Sequence, residues 1–273
     1  SAYMAGLGLG CFFLGRAAEN CRRPLRLYGL LEMGVGAYAA LTPLLLWLIR
    51  SIYLSLGDPT DPSNPASIAL KLFLSFLVVF VPTFLMGGTL PVLVKFFFRD
   101  EEGAGKVMGL LYGLNTAGAV TGTLAAGFWL LPALGVKGTL AFSVVLNIAI
   151  GALALLLSTQ FETKPGSFGS VAAKGTLPLL SLAIPIGLFI SGINAMLYEV
   201  AWTRILATVL SSSTYAFTMM LASFLLGIAL GSWAAKRYFS RHKPSGIAWG
   251  WLQLTIASVS LGALTLYPWV DLF

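Results

Sequence analysis

The chain has 273 residues, of which 58% are hydrophobic and only 10% charged, with a formal net charge of +7. A soluble domain carries about 25% charged residues, so this composition excludes an ordinary water-soluble enzyme. The positive charge does not point to nucleic acid, because the basic residues fall in short loops between apolar runs and form no stripe with interleaved aromatics.

In chain order, the apolar runs are long enough to cross a hydrocarbon core of about 30 Å as helices. Backbone groups in lipid must find partners within their own segment, so these runs read as helices; the alternating pattern of a membrane barrel is missing. The first run, Ser1 to Leu14, has neither the basic start nor the small-residue cleavage site of a signal peptide, and reads as the second half of a span. A basic loop with Arg16, Glu19, Arg22, Arg23 and Arg26 follows. The second span is expected over Leu27 to Ile49, then a turn-rich loop with Asp58, Pro59, Asp61, Pro62 and Pro65. The third runs from Ile68 to Phe97 and is expected to break at Pro82 and Gly87-Gly88-Thr89-Leu90-Pro91, as a kink or as an unwound stretch beside a cavity. The fourth covers Val107 to Leu131 and the fifth Gly138 to Leu157. A polar connector over 158–175 leads to a sixth span over Leu177 to Tyr198, with a bent continuation to Leu210. The seventh covers Tyr215 to Ala235 and the eighth Ile247 to Val270.

If each span reverses the side of the membrane, one side holds thirteen cations: Arg16, Arg22, Arg23, Arg26, Lys95, Arg99, Lys106, Lys164, Lys174, Lys236, Arg237, Arg241 and Lys243. The other holds four: Arg50, Lys71, Lys137 and Arg204. The positive-inside rule then makes loops 15–26, 95–106, 158–175 and 236–245 cytoplasmic.

A shift of 221 residues reveals an internal repeat. Ala5-Gly6-Leu7-Gly8-Leu9-Gly10 falls on Leu226-Gly227-Ile228-Ala229-Leu230-Gly231, Arg16 on Arg237, Tyr28 on Trp249, Gly29 on Gly250 and Glu32 on Gln253. The first and seventh spans correspond, and six spans apart they point the same way. The expected fold class is therefore an all-α integral membrane protein, a polytopic bundle of about eight spans with parallel six-helix repeats, truncated at both ends. Residues 1–157 form the first repeat without its first helix and a half, 158–175 the cytoplasmic connector, and 176–273 the start of the second repeat.

Small residues at four-residue spacing let helices approach closely in lipid. Gly6 and Gly10, Gly109 and Gly113, Gly118 and Gly122, and Gly227 and Gly231 are the expected packing ridges. Gly6-x-Gly8-x-Gly10 with Glu32 beyond it mimics a dinucleotide fingerprint, but no strand precedes it and the glycines sit inside an apolar helix. The candidate solute or ion pathway consists of Glu32, Glu199 and Arg204, with Asn115, Asn194 and Gln253; ionisable groups within a span usually face a cavity or a partner. Glu199, read as ending the sixth span, pairs with Arg204 or caps a neighbouring helix, or else serves a substrate or proton. Asn115, Asn147, Asn194 and Gln253 are equally suited to interhelical hydrogen bonding. Neither Cys11 nor Cys21 is expected in a disulfide, and His242 falls in a basic loop. No spacing of His, Cys, Asp or Glu suits a metal, and no nucleophile–base pair suggests catalysis, so no cofactor or catalytic residue is assigned.

Four strings carry a family resemblance: Arg22-Arg23-Pro24-Leu25-Arg26-Leu27-Tyr28-Gly29-Leu30-Leu31-Glu32; Phe84-Leu85-Met86-Gly87-Gly88-Thr89-Leu90-Pro91; Gly109-Leu110-Leu111-Tyr112-Gly113-Leu114-Asn115-Thr116-Ala117-Gly118-Ala119-Val120; and Met196-Leu197-Tyr198-Glu199-Val200-Ala201-Trp202-Thr203-Arg204, with Ser213-Thr214-Tyr215-Ala216-Phe217 beyond it. With them the chain resembles the membrane domain of bacterial fused proteins that join a major-facilitator-like bundle to a spermidine-synthase-like (polyamine aminopropyltransferase-like) domain. The resemblance implies a multi-pass protein of the bacterial inner membrane. Its partners would be the lipid bilayer and a C-terminal soluble domain of the same polypeptide, to which it would pass amines. The alternative is a free-standing secondary transporter of a small organic solute. Glu19-Asn20 departs from the Asp-Arg pair that the family carries after its first span.

Overall fold

The computed structural model describes residues 2–56, 64–97, 104–159, 178–239 and 246–266. Among the described residues the chain is helical and contains no strand. The helices are α1 (Ala2–Glu19), α2 (Pro24–Leu56), α3 (Pro65–Phe97), α4 (Ala104–Ala125), α5 (Leu131–Ser158), α6 (Pro178–Leu210), α7 (Ser213–Phe239) and α8 (Gly246–Leu266), with a π-helical turn, Ala126–Leu130, between α4 and α5. Four segments are long and apolar enough to cross a membrane: Pro24–Ser55, Pro65–Phe97, Met108–Ser158 and Ser213–Ala235. Their surfaces are covered with large apolar side chains such as Leu44, Trp47, Phe73, Leu110, Val145 and Leu156. A water-soluble monomer rarely exposes contiguous apolar surface on this scale, whereas lipid accepts it, so the architecture fits a helical membrane protein.

Local chemistry sets the helix starts. Pro24 stands at the first position of α2, where its missing N–H is not needed, and the Arg23 carbonyl accepts from the N–H groups of Arg26 and Leu27. Asn64 Oδ1 accepts from the Ala66 N–H at 3.0 Å, capping α3 just ahead of Pro65. Ser212 Oγ accepts from the Tyr215 N–H at 3.5 Å at the start of α7.

Two expectations need correction. First, α3 does not break at Pro82 or at Gly87–Pro91; it stays helical across both. The prolines remove two ladder donors, while Thr83 Oγ1 donates to the Val79 and Phe80 carbonyls at 2.8 and 3.0 Å and Thr89 Oγ1 to the Met86 carbonyl at 2.8 Å. In a low-dielectric setting such hydroxyls help a proline-containing helix hold together. Second, no open loop divides the fourth and fifth expected spans. The chain passes through the π-helical turn and a kink at Gly135, with φ 65° and ψ −177°. Glycine alone reaches that conformation readily.

The chain divides into two compact units. One comprises Ser1–Asn115 with Trp129–Lys174, the other Thr116–Phe128 with Gly175–Phe273. The expected connector over 158–175 lies outside the described residues beyond Thr159, as do His242 and the loop around Asp58–Pro62.

In the first unit α1 packs on α3, and α2 packs on α5 and α3. Gly6 and Gly10 press onto α3: a Cβ at Gly10 would fall on the Phe84 carbonyl, and one at Gly6 on Thr83. Gly87 of α3 meets the backbone of Leu7 and Cys11 in return. Gly29 and Gly151 make the matching approach between α2 and α5. The small core is Ala18, Leu31 and Val92, flanked by Leu14, Leu27, Tyr28 and Leu85.

In the second unit α6 packs on α7. Gly127 of the π-helical turn lies against Thr218, and Phe128 stacks on Tyr215 with ring centroids 5.5 Å apart. Gln253 of α8 donates to Ser191 Oγ of α6 at 3.4 Å.

The expected ridges at Gly109, Gly113, Gly118, Gly122, Gly227 and Gly231 meet no described residue: a Cβ at any of them would find open space. Spacing alone marks a helix as able to pack closely and does not choose the face that does. Gly29, Gly36, Gly87, Gly88 and Gly151, which do pack, sit outside the four-residue pattern or pair across helices rather than along one.

Candidate functional site

The first unit holds a cleft of about 720 Å³. Its walls are α1 through Leu7, Cys11, Gly15 and Arg16, α2 through Glu32 and Val35, and α3 through Gly87, Thr89 and Pro91. Asn115 of α4 and Asn147 of α5 complete it. The volume falls within the range usual for small-molecule sites.

Glu32 is the central group. It lies just over two turns into α2, half-buried, with its carboxylate hydrogen-bonded by the Tyr28 hydroxyl one turn earlier on the same helix face. Tyr28 is itself packed against the core of the unit, which fixes the phenol and so orients the carboxylate. Val35 and Gly36, both buried, hold the next turn of α2 in place, Gly36 close to Asn147 and Ile148 of α5. At one end of the cleft stand Arg16 and Glu19; the Arg16 guanidinium lies over the Phe12 ring, 4.7 Å from its centroid. The cleft therefore offers the oriented Glu32 carboxylate, two amides and a threonine hydroxyl among apolar walls, with the opposite charges of Arg16 and Glu19 at one end. Such a set can hydrogen-bond a small polar solute, and the Glu32 carboxylate can meet a positive charge.

The other expected pathway residues lie elsewhere, in the second unit. Glu199 lines a separate crevice of about 340 Å³ between α6 and α7. It does not end a span: α6 runs eleven residues further, to Leu210. Nor does it pair with Arg204, which is exposed; five residues apart on a helix, the two side chains diverge by about 140°. Asn194 is exposed and lines neither cavity, and Gln253 serves as the interhelical link to Ser191. Glu32 and Gln253, equivalent in the sequence repeat, thus have different roles: the first faces a cleft and the second bridges two helices.

Several residues of the cleft escaped the sequence reading. Tyr28, behind the cleft, is signalled by its four-residue spacing from Glu32, whereas Cys11 and Arg16, five residues apart on α1, carry no such spacing signal. Lys95, expected in a cytoplasmic loop, instead lies inside α3 and is 3% exposed. Only packing reveals that, since a lysine at the end of an apolar run ordinarily extends into the water. Among the described residues no group of three His, Cys, Asp or Glu is placed to hold a metal ion.

No protein-family model matches the chain, and comparison with curated proteins and with solved structures yields no match either.

Proposed function

We propose that this chain is the membrane-spanning domain of a spermidine-synthase-like fusion protein of the bacterial inner membrane, and that its first unit binds an amine in the cleft around Glu32 for delivery to or from the soluble domain. The observation that carries this reading is the Glu32 carboxylate: it is oriented by Tyr28, half-buried within a span, and faces a cleft large enough for a small molecule. A carboxylate in a span is costly unless it meets a partner, and a cationic amine is the natural partner for this one. The pairing of α1 with α3 and of α2 with α5, together with the 221-residue sequence repeat, favours a bundle of the major-facilitator type with about eight spans in this chain. The cation asymmetry favours cytoplasmic loops at 15–26, 95–106, 158–175 and 236–245.

The test uses radiolabelled spermidine with the protein reconstituted in lipid vesicles. Saturable binding that Glu32→Gln abolishes is the expected result; a Gln variant that binds like the parent protein overturns the amine assignment. The fusion is tested by the gene, whose reading frame should continue beyond Phe273 into a methyltransferase-type domain. Amine uptake driven by the bundle together with a reading frame that stops within a few spans would favour the free-standing transporter.

A further inference from the structure

The geometry points to a second, separate site: the crevice between α6 and α7 binds a quaternary ammonium ion, with Glu199 as the counter-charge and Tyr198, Trp202 and Phe224 as aromatic walls. It stands on the second unit's own residues and does not rest on the Glu32 reading.

Helical spacing builds the site. Tyr198, Glu199, Trp202 and Leu206 lie on one face of α6, and Met220, Ser223 and Phe224 on the facing side of α7. Positions 220–224 fall near the middle of the Ser213–Ala235 apolar segment, which places the crevice, with Glu199 in its wall, at mid-span depth. A carboxylate within a span is costly unless it meets a partner. Among the described residues of the unit Glu199 is the one acid; the bases are Arg204, exposed on α6, and Lys236 and Arg237 at the end of α7, beyond the apolar segment that closes at Ala235 and about 20 Å along the helix from Ser223. Thr203 Oγ1 donates at 2.7 Å to the Glu199 backbone carbonyl, which leaves the carboxylate itself unengaged by that hydroxyl.

The walls then select the ligand. Aromatic rings attract cations through the negative potential of their faces, more strongly when water is excluded, and rings gathered round a quaternary ammonium are the established way proteins bind such ions. Apart from Glu199 and the Ser223 hydroxyl the lining is aromatic or aliphatic, with Met220 buried behind it. A primary ammonium would need acceptors for three N–H donors; a quaternary ammonium needs none and fills the space with methyl or ethyl groups.

Tetraethylammonium is the probe, titrated into the purified protein in lipid nanodiscs and followed by calorimetry. Saturable binding is expected, weakened about tenfold by Glu199→Gln and severalfold by Trp202→Ala, and unchanged by Glu32→Gln. The uncharged isostere 3,3-diethylpentane, presented at its solubility limit, should not compete. Circular dichroism and gel filtration check that the Gln variant is folded, and Glu199→Asp, which keeps the charge, should recover part of the affinity. Binding that survives Glu199→Gln unchanged overturns the site. So does equal competition by the neutral isostere, which would mean an ordinary apolar crevice that reads shape and not charge. Failure of the wild-type protein to bind tetraethylammonium also overturns it, and leaves the spermidine test at Glu32 unaffected.

Discussion

The crossing of α2 and α5 is a sensitive test of the fold, because two glycines meet there with their backbones. A Cβ added at Gly29 would lie 2.7 Å from the Gly151 carbonyl oxygen, and one at Gly151 would lie 2.8 Å from the Gly29 carbonyl oxygen. Ordinary contact begins near 3.4 Å, so either substitution must part the helices by about 0.6–0.7 Å. At both positions a backbone oxygen is in the way and cannot rotate aside, and at Gly151 the Met33 side chain adds to it, with Cγ 2.6 Å from the added Cβ. Overpacking of this kind costs about 1–3 kcal/mol. Once one alanine has parted the helices, the second meets less resistance, so Gly29→Ala with Gly151→Ala should destabilise by clearly less than the sum of the singles. The assay is reversible unfolding in mixed micelles of mild detergent and dodecyl sulfate, followed by circular dichroism, with Gly109→Ala and Gly227→Ala as controls in open space. Those controls should be neutral or slightly stabilising, since alanine favours helix over glycine. If Gly29→Ala unfolds no earlier than Gly109→Ala, the close α2–α5 crossing is refuted.

Three further outcomes are expected. Gly135→Ala forces a side chain into a conformation open to glycine alone, and should lower stability by roughly 1–3 kcal/mol in the same titration; no change would mean the kink is absent. Tyr28→Phe removes the hydroxyl that orients Glu32 and should destabilise by about 1 kcal/mol while weakening spermidine binding, whereas tighter binding would show that the phenol competes with the ligand. Cys11 lines the Glu32 cleft and Cys21 does not, so spermidine should slow N-ethylmaleimide labelling of Cys11 and leave Cys21 unaffected; equal rates with and without the amine would place the ligand elsewhere.

Much of the helical layout was legible, because burial in lipid turns spans into long apolar runs that need no tertiary knowledge to recognise. Helix ends were less so. Charge usually marks the water boundary, so the sixth span is expected to close near Tyr198 with a bent continuation to Leu210; α6 instead runs as one helix from Pro178 to Leu210. Proline and glycine in α3 were read as a break, and hydroxyl back-bonding with tight packing on α1 accompanies continuous helix instead. Among candidate residues, Glu32 stood out as an acid in an apolar run. Its neighbours across the cleft, such as Cys11, Thr89 and Asn147, come from helices far apart in sequence, and no local pattern announces which of them converge. The same gap explains the open glycine ridges on α4 and α7: periodicity shows a smooth face, and only a neighbour shows its use.

The two-residue link between α6 and α7, with Ser211 in a left-handed conformation (φ 50°), has a mechanical consequence for the crevice. Glu199 and Ser223 each stand twelve residues from Ser211, so the link acts as the pivot of a pair of matched arms about 18 Å long. A swing of ten degrees at the pivot would shift the far jaws by about 3 Å, roughly the thickness of an aromatic ring. Inserting a single residue into α6 between Glu199 and the link would rotate Glu199 by about 100° about the helix axis and carry it off its facing partner. The fit of the jaws is thus decided three turns away from them, at a two-serine joint that lines none of the crevice.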